Sequence, residues 1–285
     1  MPFYLFSSSE RSFIKVSGKD SFSFLNSIIT NDVEKVSSQK GIYAFLLTPQ
    51  GKFFQDMFIT SQAENTYLLE VNNTYREVLM KKLTLYKLRS EVTIEKEDNL
   101  KVMAIWGEEI DRYYNLLKEG ECIVDEDELV ILDPRWSRLG VRIYCKEMRR
   151  RGHSEGNYEE MRVIKGVPEG NKDLIMDKSF PLHFGMNKLN AIDYDKGCYV
   201  GQEVIARTTY RGVVRKKIFL VNSNIEIEPG LTFLYKENLE AIICSVYNNQ
   251  GIALLTVNEN TPKEFQINVG DYILNMASPL WDLEA

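Results

Sequence analysis

The run "RSFIKVSG" alternates as a strand does, and "KDSFSFLNSIIT" follows with Phe22, Leu25 and Ile29 at helical spacing. Two β-rich runs, "GIYAFLLT" and "FFQDMFIT", flank "PQGK", whose Pro49 and Gly51 are turn residues, so the pattern predicts a hairpin-like unit. "TYLLEV" adds a strand. Thr74 and Glu77 stand at capping-box spacing, and Tyr75, Leu79, Leu83 and Tyr86 fall on one stripe of a helix ending near "YKLRS". Strand-like "EVTIEKE" and "LKVMAIW", a second helix in "EEIDRYYNLL" and strands around "ELVILD" and "RLGVRIYC" continue a mixed pattern. Strands and helices interleave in this way in an α+β body.

The body is expected to span residues 1–211, with a subdivision near 90–100 and a linker near 146–157, where "KEMRRRGHSEGN" combines a charge run with Gly152 and Gly156. Its basic run reads as a solvated face. After Gly212 the character changes. "VVRKKIFLV", "LTFLY", "AIICSVY", "GIALLTV" and "YILNM" are short strands separated by Gly, Asn and Pro signals, which predicts a small β-barrel over 212–285.

Composition narrows the functional classes. The chain has 285 residues, 44% hydrophobic and 27% charged, which is ordinary for a globular protein. Its net charge of −6 argues against broad binding to nucleic acid, which depends on neutralising phosphates. No apolar run approaches the ~18 residues of a membrane span. The first residues show neither a signal-peptide pattern nor an Arg-rich transit pattern, so a chain starting at Met1 in a reducing cytoplasm is expected. Four scattered cysteines, with no CxxC and two histidines, do not make a structural zinc site.

One stretch, "DYDKGCYVGQEVIARTTYRG", concentrates chemistry. Gly197 and Gly201 bracket Cys198, and Lys196, Arg207 and Arg211 supply cations that would favour a thiolate if they lie near the sulfur. The structural alternative is a small buried cysteine. Gln202 and Glu203 present an amide beside a carboxylate, suited to a flat amino-heterocycle or to a solvated turn. In "FFQDMFIT", alternation puts Asp56 on the face of Phe54 and Phe58. A carboxylate there is paired, has a raised pKa or lines a pocket, unless the strand faces solvent.

The octad KGCYVGQE, with "FLNSIITNDVEKV", "LLTPQGKFFQDMFI", "YKLRSEVTI" and "MRVIKGVPEG" in order, resembles the YgfZ proteins. These are folate-binding iron–sulfur maturation factors related to the T-protein of the glycine cleavage system. The resemblance covers nearly the whole chain. It implies a pseudo-threefold, aminomethyltransferase-like α+β body with a central hole for tetrahydrofolate or a one-carbon derivative, followed by a small β-barrel. It also implies that Cys198 is a functional thiol beside that hole and that Asp56 lies in it, with Phe54, His183, Lys196, Gln202, Glu203 and Arg207 as folate-side residues. Two departures stand out. T-protein relatives that transfer an aminomethyl group carry two successive acidic residues where this chain has Asp56 and Met57, and many relatives carry a Glu two residues after a Pro where this chain has Pro181, Leu182 and His183.

The expected function is therefore a folate-binding accessory factor in assembly or repair of iron–sulfur proteins, with reduced folate and transient assembly or client proteins as partners. A folate-dependent aminomethyltransferase is the alternative, and Met57 counts against it. A single thiolate does not supply the four ligands of a stored cluster.

Overall fold

A computed structural model describes residues 4–108, 110–116, 118–147, 154–235 and 239–284. The chain divides into two compact units. The first comprises Met1–Gln50, Phe54–Gly156 and Leu189–Gln202, and the second Gly51–Phe53, Asn157–Lys188 and Glu203–Ala285. Most of the segment expected as a linker, including the basic run and His153, lies outside the described residues.

In chain order the first unit contains β1 (Tyr4–Ser8), β2 (Arg11–Ser17), α1 (Ser21–Ile28), β3 (Ile42–Leu47), β4 (Phe53–Ala63, from Phe54 on), β5 (Thr66–Asn72) and α2 (Arg76–Lys87). Then come β6 (Thr93–Glu97), β7 (Lys101–Trp106), α3 (Ile110–Tyr113), β8 (Cys122–Asp125), β9 (Glu128–Leu132), β10 (Val141–Cys145) and β11 (Ser154–Glu155). They form two sheets, ordered β3-β4-β5-β2-β6 and β11-β1-β7-β10-β9-β8. The pairs are antiparallel in registers such as Ile14 opposite Leu69 and Ile143 opposite Met103, and β1 with β11 is the parallel exception among the pairs described. β3 is buried along its whole length and β4 from Phe53 to Thr60, so both faces of this part of the sheet are covered.

Three local expectations change. Phe22 is 38% exposed, and the buried stripe of α1 is Phe24, Leu25 and Ile28. The expected stripe included Phe22, but the helix starts at Ser21 and turns that ring outward. Thr74 does not cap α2. It lies in a 3-10 turn, Asn73–Tyr75, where the side chain of Asn72 accepts from the Thr74 amide at 2.9 Å, and α2 begins at Arg76 with Leu79 and Leu83 buried. Of the helix expected in "EEIDRYYNLL", four residues are described as helical.

The two sheets of this unit share a buried ionic cluster. Glu70 on β5 is fully buried and accepts from Arg11 Nε on β2 at 2.7 Å and from Arg142 Nε on β10 at 2.8 Å. Arg142 Nη2 makes a further contact to Glu70, and Asp133 holds Arg135 through two bonds of 3.0 and 2.7 Å. The guanidinium carbons of Arg142, Arg135 and Arg11 lie 4.0, 5.0 and 5.4 Å from the ring centre of Phe58. Flat, weakly hydrated guanidinium groups suit this stacking better than ammonium groups would.

The second unit carries α4 (Tyr158–Ile164), α5 (Gln202–Arg211, from Glu203 on), β12 (Lys216–Ser223), β13 (Thr232–Tyr235), β14 (Leu239–Tyr247), β15 (Gln250–Thr256), β16 (Glu264–Val269), β17 (Tyr272–Ala277) and α6 (Leu280–Glu284). Its sheet runs β13-β14-β15-β12-β17-β16, with β13 and β16 at its two ends, so the expected barrel is a curled half-barrel. β16 was absent from the sequence expectation although "EFQINV" alternates Phe265, Ile267 and Val269, which pack on the core, with polar residues at strand period. Phe219, Phe233, Ile243, Leu255 and Leu274 fill the core of this sheet. Arg162 on α4 is fully buried. It donates to Asp173 at 2.6 Å, to the Val167 carbonyl at 2.8 Å and to Ser245 Oγ on β14 at 2.7 Å.

Burial alone would raise the pKa of Glu70, but the guanidinium groups of Arg142 and Arg11 outweigh it and hold the carboxyl down at about 2, against an ordinary 4.5. A carboxyl with a depressed folded-state pKa stabilises the fold above its unfolded pKa and loses that contribution as pH falls through the folded value. Glu70→Gln is expected to cost about 3–5 kcal/mol at pH 7, because it removes the carboxylate that two buried guanidinium groups share. In denaturant titrations from pH 7 to pH 2, the wild type should lose stability below about pH 4.5 and the gap to the variant should close towards pH 2.

Candidate functional site

The segment from Leu189 to Gln202 returns to the first unit and is tied to the turn after α1. The Thr30 amide donates to the Phe45 carbonyl at 2.9 Å, and Thr30 Oγ1 accepts from the Phe45 amide at 2.8 Å while donating to the Ala191 carbonyl at 2.6 Å. Asn31 Nδ2 donates to the carbonyls of Tyr43 and Asn190, each at 2.8 Å. The Asp193 amide donates to the Thr30 carbonyl, and its carboxylate pairs with Lys35 at 2.5 Å and accepts from the Asp195 amide at 2.7 Å.

Lys196 completes this attachment. Its side chain is buried, and Nζ donates to the carbonyls of Asn26, Ile29 and Asn31 at 2.7, 2.8 and 2.8 Å. These oxygens belong to the last turn of α1 and the residues after it, where a helix leaves carbonyls without intrahelical donors. The ammonium therefore acts as a three-pronged C-terminal cap supplied from 165 to 170 residues away. Burial lowers its pKa to about 8, with Asp32 and Asp193 opposing the shift.

Two residues on, Cys198 is exposed, whereas Cys122 and Cys145 are buried and Cys244 is half-buried. The buried-cysteine alternative is thereby excluded for Cys198. Gly201 has φ +84°, which a side-chain-bearing residue adopts poorly, and the turn it makes lets Gln202 Oε1 accept from the Tyr199 amide at 3.3 Å. Gly197 differs, because a Cβ built there would meet open space, so no close approach requires glycine. In the second unit, Glu203 and Arg207 form an exposed pair one helical turn apart, at 3.0 Å. The donors of Lys196 are engaged by backbone carbonyls and Arg207 faces its own carboxylate.

Asp56 is fully buried on β4, which removes the solvent-facing alternative, and it accepts from the Tyr43 hydroxyl at 2.9 Å. Phe54 on the same face is 7% exposed and has Lys82 Nζ 5.2 Å from its ring centre. Tyr43 also borders a cavity of about 280 Å³ in the first unit, together with Asn31, Lys35, Lys40, Lys118 and Glu119. Tyr43 and Asn31 escaped the sequence reading because "GIYAFLLT" registered there only as a strand and Asn31 falls just past the helical run "KDSFSFLNSIIT". The signals available were a hydroxyl and a carboxamide in otherwise apolar surroundings.

His183 belongs to the second unit, in a 3-10 turn at Pro181–Phe184, with its ring edge-on to Phe180 at 5.5 Å. Burial, and secondarily the charge of Lys216, lowers its pKa, so the ring is neutral near pH 7. No helix among the described residues is long and apolar enough to cross a membrane, and among them no three His, Cys, Asp or Glu side chains are grouped as a metal site requires.

Comparison with known proteins bears on the same region. Residues 4–113 match the family model described as the GCVT N-terminal domain. The chain is 30% identical over 251 residues to the human "Iron-sulfur cluster assembly factor IBA57, mitochondrial", an alignment covering 79% of this chain and 69% of that protein. It is 31% identical over 228 residues to the corresponding homolog of Neurospora crassa, covering 73% of this chain and 51% of the fungal protein. The chain thus spans between about half and two-thirds of the length of these relatives. Among solved structures, the aminomethyltransferase T of the glycine cleavage system from Bartonella henselae superposes with a TM-score of 0.79 over 98% of this chain and 86% of that one, at 14% identity, which establishes the likeness of fold.

The burial pattern predicts an order of thiol reactivity. Burial pushes the Cys122 and Cys244 thiols up to about 12, where the reactive thiolate is scarce at neutral pH. In the native protein at pH 7.5, iodoacetamide is expected to alkylate Cys198 at least about tenfold faster than the other three. Peptide mass mapping over a time course measures this, and equal rates under native conditions would contradict it.

Proposed function

We propose, from the premise that the chain belongs to the IBA57/YgfZ-type iron–sulfur cluster assembly factors of the aminomethyltransferase (GcvT) superfamily, that it assists assembly or repair of iron–sulfur proteins through Cys198. The observation that carries this reading is the placement of that thiol. It is the exposed one of four free cysteines, on a segment fixed by the three bonds of Lys196. A thiolate is both a ligand for iron and a nucleophile toward sulfur. One thiolate cannot hold a cluster by itself, so the cluster is cargo that passes between Cys198 and ligands on partner proteins, either assembly components or clients. The contact is therefore transient. A reducing cytoplasm is the compartment in which such a thiol persists.

We further propose reduced folate as the small-molecule partner of the first unit. The buried Asp56 carboxylate holds the buried Tyr43 hydroxyl, and the cavity that Tyr43 borders, at about 280 Å³, lies just below the ~300–1,000 Å³ range of ligand pockets. The polar groups that border it, Asn31, Lys35 and Glu119 among them, fit part of such a ligand, an amino-heterocycle that donates and accepts along one edge. A bound reduced folate would supply one-carbon chemistry. The chain's own contribution is to bind and orient. In this arrangement Asp56 acts through Tyr43, holding its ring and hydroxyl in place.

Two experiments test these readings. Cys198→Ala removes an exposed side chain, so it should melt within about 1 °C of wild type. It should nevertheless fail to restore iron–sulfur enzyme activity in cells lacking the protein. Full rescue by a normally folded variant would remove the thiol from the mechanism. Asp56→Asn should weaken binding of tetrahydrofolate about tenfold in a fluorescence titration, by loosening the partner of Tyr43. Unchanged affinity would separate Asp56 from the ligand site.

A further inference from the structure

The outer face of α2 departs from what a surface helix needs. Leu79 and Leu83 are its buried residues, and the side facing water would then be polar. Instead Val78 is 43% and Leu85 70% exposed, on one helical stripe that also carries Lys81 and Lys82. Leu88, just past the helix end, is 84% exposed. Exposed apolar residues scattered singly need no explanation, but three along one helix and its end make a patch.

The backbone at Leu88 supplies a second, independent observation. Its φ of +45° and ψ of −106° fall close to the first central position of a type II′ turn, which suits glycine and strains a residue with a side chain. The Ser90 amide closes that turn on the Lys87 carbonyl at 2.7 Å, and Lys87 Nζ donates to the Val92 carbonyl at 2.5 Å. The Asp20 carboxylate accepts from the Glu91 amide at 2.8 Å, and a Cβ on Gly18 would lie 2.2 Å from the Glu91 carbonyl oxygen. The chain leaving the turn is thus fixed against the connection between β2 and α1. A braced turn holds Leu88 in a strained conformation, and a side chain so exposed gains little packing in return. Strain of this kind is kept where the residue serves recognition.

The charge on this face narrows the partner. Residues 76–89 carry five cationic side chains and one carboxylate, Glu77, in a chain whose net charge is −6. Arg76 is answered by Asp98 at 2.5 Å, Glu77 pairs with Lys96, and Lys87 is engaged by the backbone as above. Lys81, Lys82 and Arg89 are left for the patch, with Lys82 Nζ held 5.2 Å from the ring centres of both Phe54 and Tyr86. A lipid surface takes up an apolar face with the cations on the opposite, polar face, whereas here Lys81 and Lys82 interrupt the apolar stripe. An amphipathic helix presents apolar anchors at the same three- and four-residue spacing and can set carboxylates beside them. We infer that Val78, Leu85 and Leu88, with Lys81, Lys82 and Arg89, form a docking surface for an acidic amphipathic helix of a partner protein. The surface depends on neither the thiol reading nor the folate reading.

The probe is a fluorescein-labelled synthetic helix of about 14 residues, with leucines at i, i+3 and i+7 flanked by glutamates, titrated into the full-length protein and followed by anisotropy. Its Kd should be on the order of 100 μM in low salt and should rise about threefold or more in 0.5 M NaCl. The same helix with lysines in place of the glutamates should bind at least about tenfold more weakly, and equal binding of the two would overturn the inference. Leu85→Ser/Leu88→Gly should weaken binding of the acidic helix about tenfold, and Lys81→Glu/Arg89→Glu should remove the preference for it. Unchanged binding by both variants would place the helix elsewhere and overturn the inference. Leu88→Gly alone separates recognition from structure. It relieves the turn, so it should melt about 1–4 °C above wild type while binding the helix more weakly. A lower melting temperature would show that the leucine serves the fold and would count against the docking surface. Binding to phosphatidylcholine vesicles containing about 30% phosphatidylserine, without binding to the helix, would make the face a lipid surface and overturn the inference as well.

Discussion

Glu70 is the residue on which the first unit depends. It accepts from one arginine on its own sheet and another on the neighbouring sheet, so a single carboxylate fixes the distance between two layers that hydrophobic contact alone would leave free to slide. Phe58 sits under the same guanidinium groups and lies two residues along β4 from Asp56. The position of Asp56, of Tyr43 above it and of the cavity that Tyr43 borders all follow from how this cluster is assembled. A buried cluster of matched charges adds little net stability over a well-packed apolar core, but it tolerates few alternative arrangements. Its value here lies in registering the polar groups of the site to one another.

The second unit solves a similar problem by different means. Arg162 joins α4, the Val167 carbonyl, Asp173 and β14 through hydrogen bonds. Asp173 in turn accepts from the amides of Glu169 and Ser245, both at 2.9 Å, so both its oxygens are occupied. In each unit a fully buried arginine organises segments that lie far apart in the sequence. Such centres explain how irregular connections between the elements are held without a continuous apolar stripe.

Much of the element order was legible, because strands such as β2, β7 and β15 follow residue patterns that have few other solutions. The failures have physical causes. Phe22 was read into the α1 stripe because spacing does not say which of two adjacent apolar faces meets the core. Thr74 fits a capping box by spacing, yet Asn72 captures the Thr74 amide first and moves the helix start. The site was legible as residue types and not as contacts. Cys198 and Asp56 were identifiable, whereas the triple bond set of Lys196 joins positions 165 or more residues apart, which no local pattern encodes. A lysine two residues from a cysteine looks like an activator of sulfur, and in the fold its donors are spent on the backbone.

The route of the chain through the first unit sets an order of events. The segment Leu189–Gln202 completes that unit, yet Asn157–Lys188, synthesised before it, belongs to the other. Emerging from the ribosome, the first 156 residues therefore lack the segment that caps α1, and the carbonyls of Asn26, Ile29 and Asn31 wait for a donor in the last-made segment of the unit. Contacts of such large sequence separation form slowly, because loop closure must precede them. The thiol-bearing turn is thus among the latest parts of the unit to acquire its shape. A nascent or truncated chain presents Cys198 on a loose segment or not at all, which confines its chemistry to molecules that have finished folding.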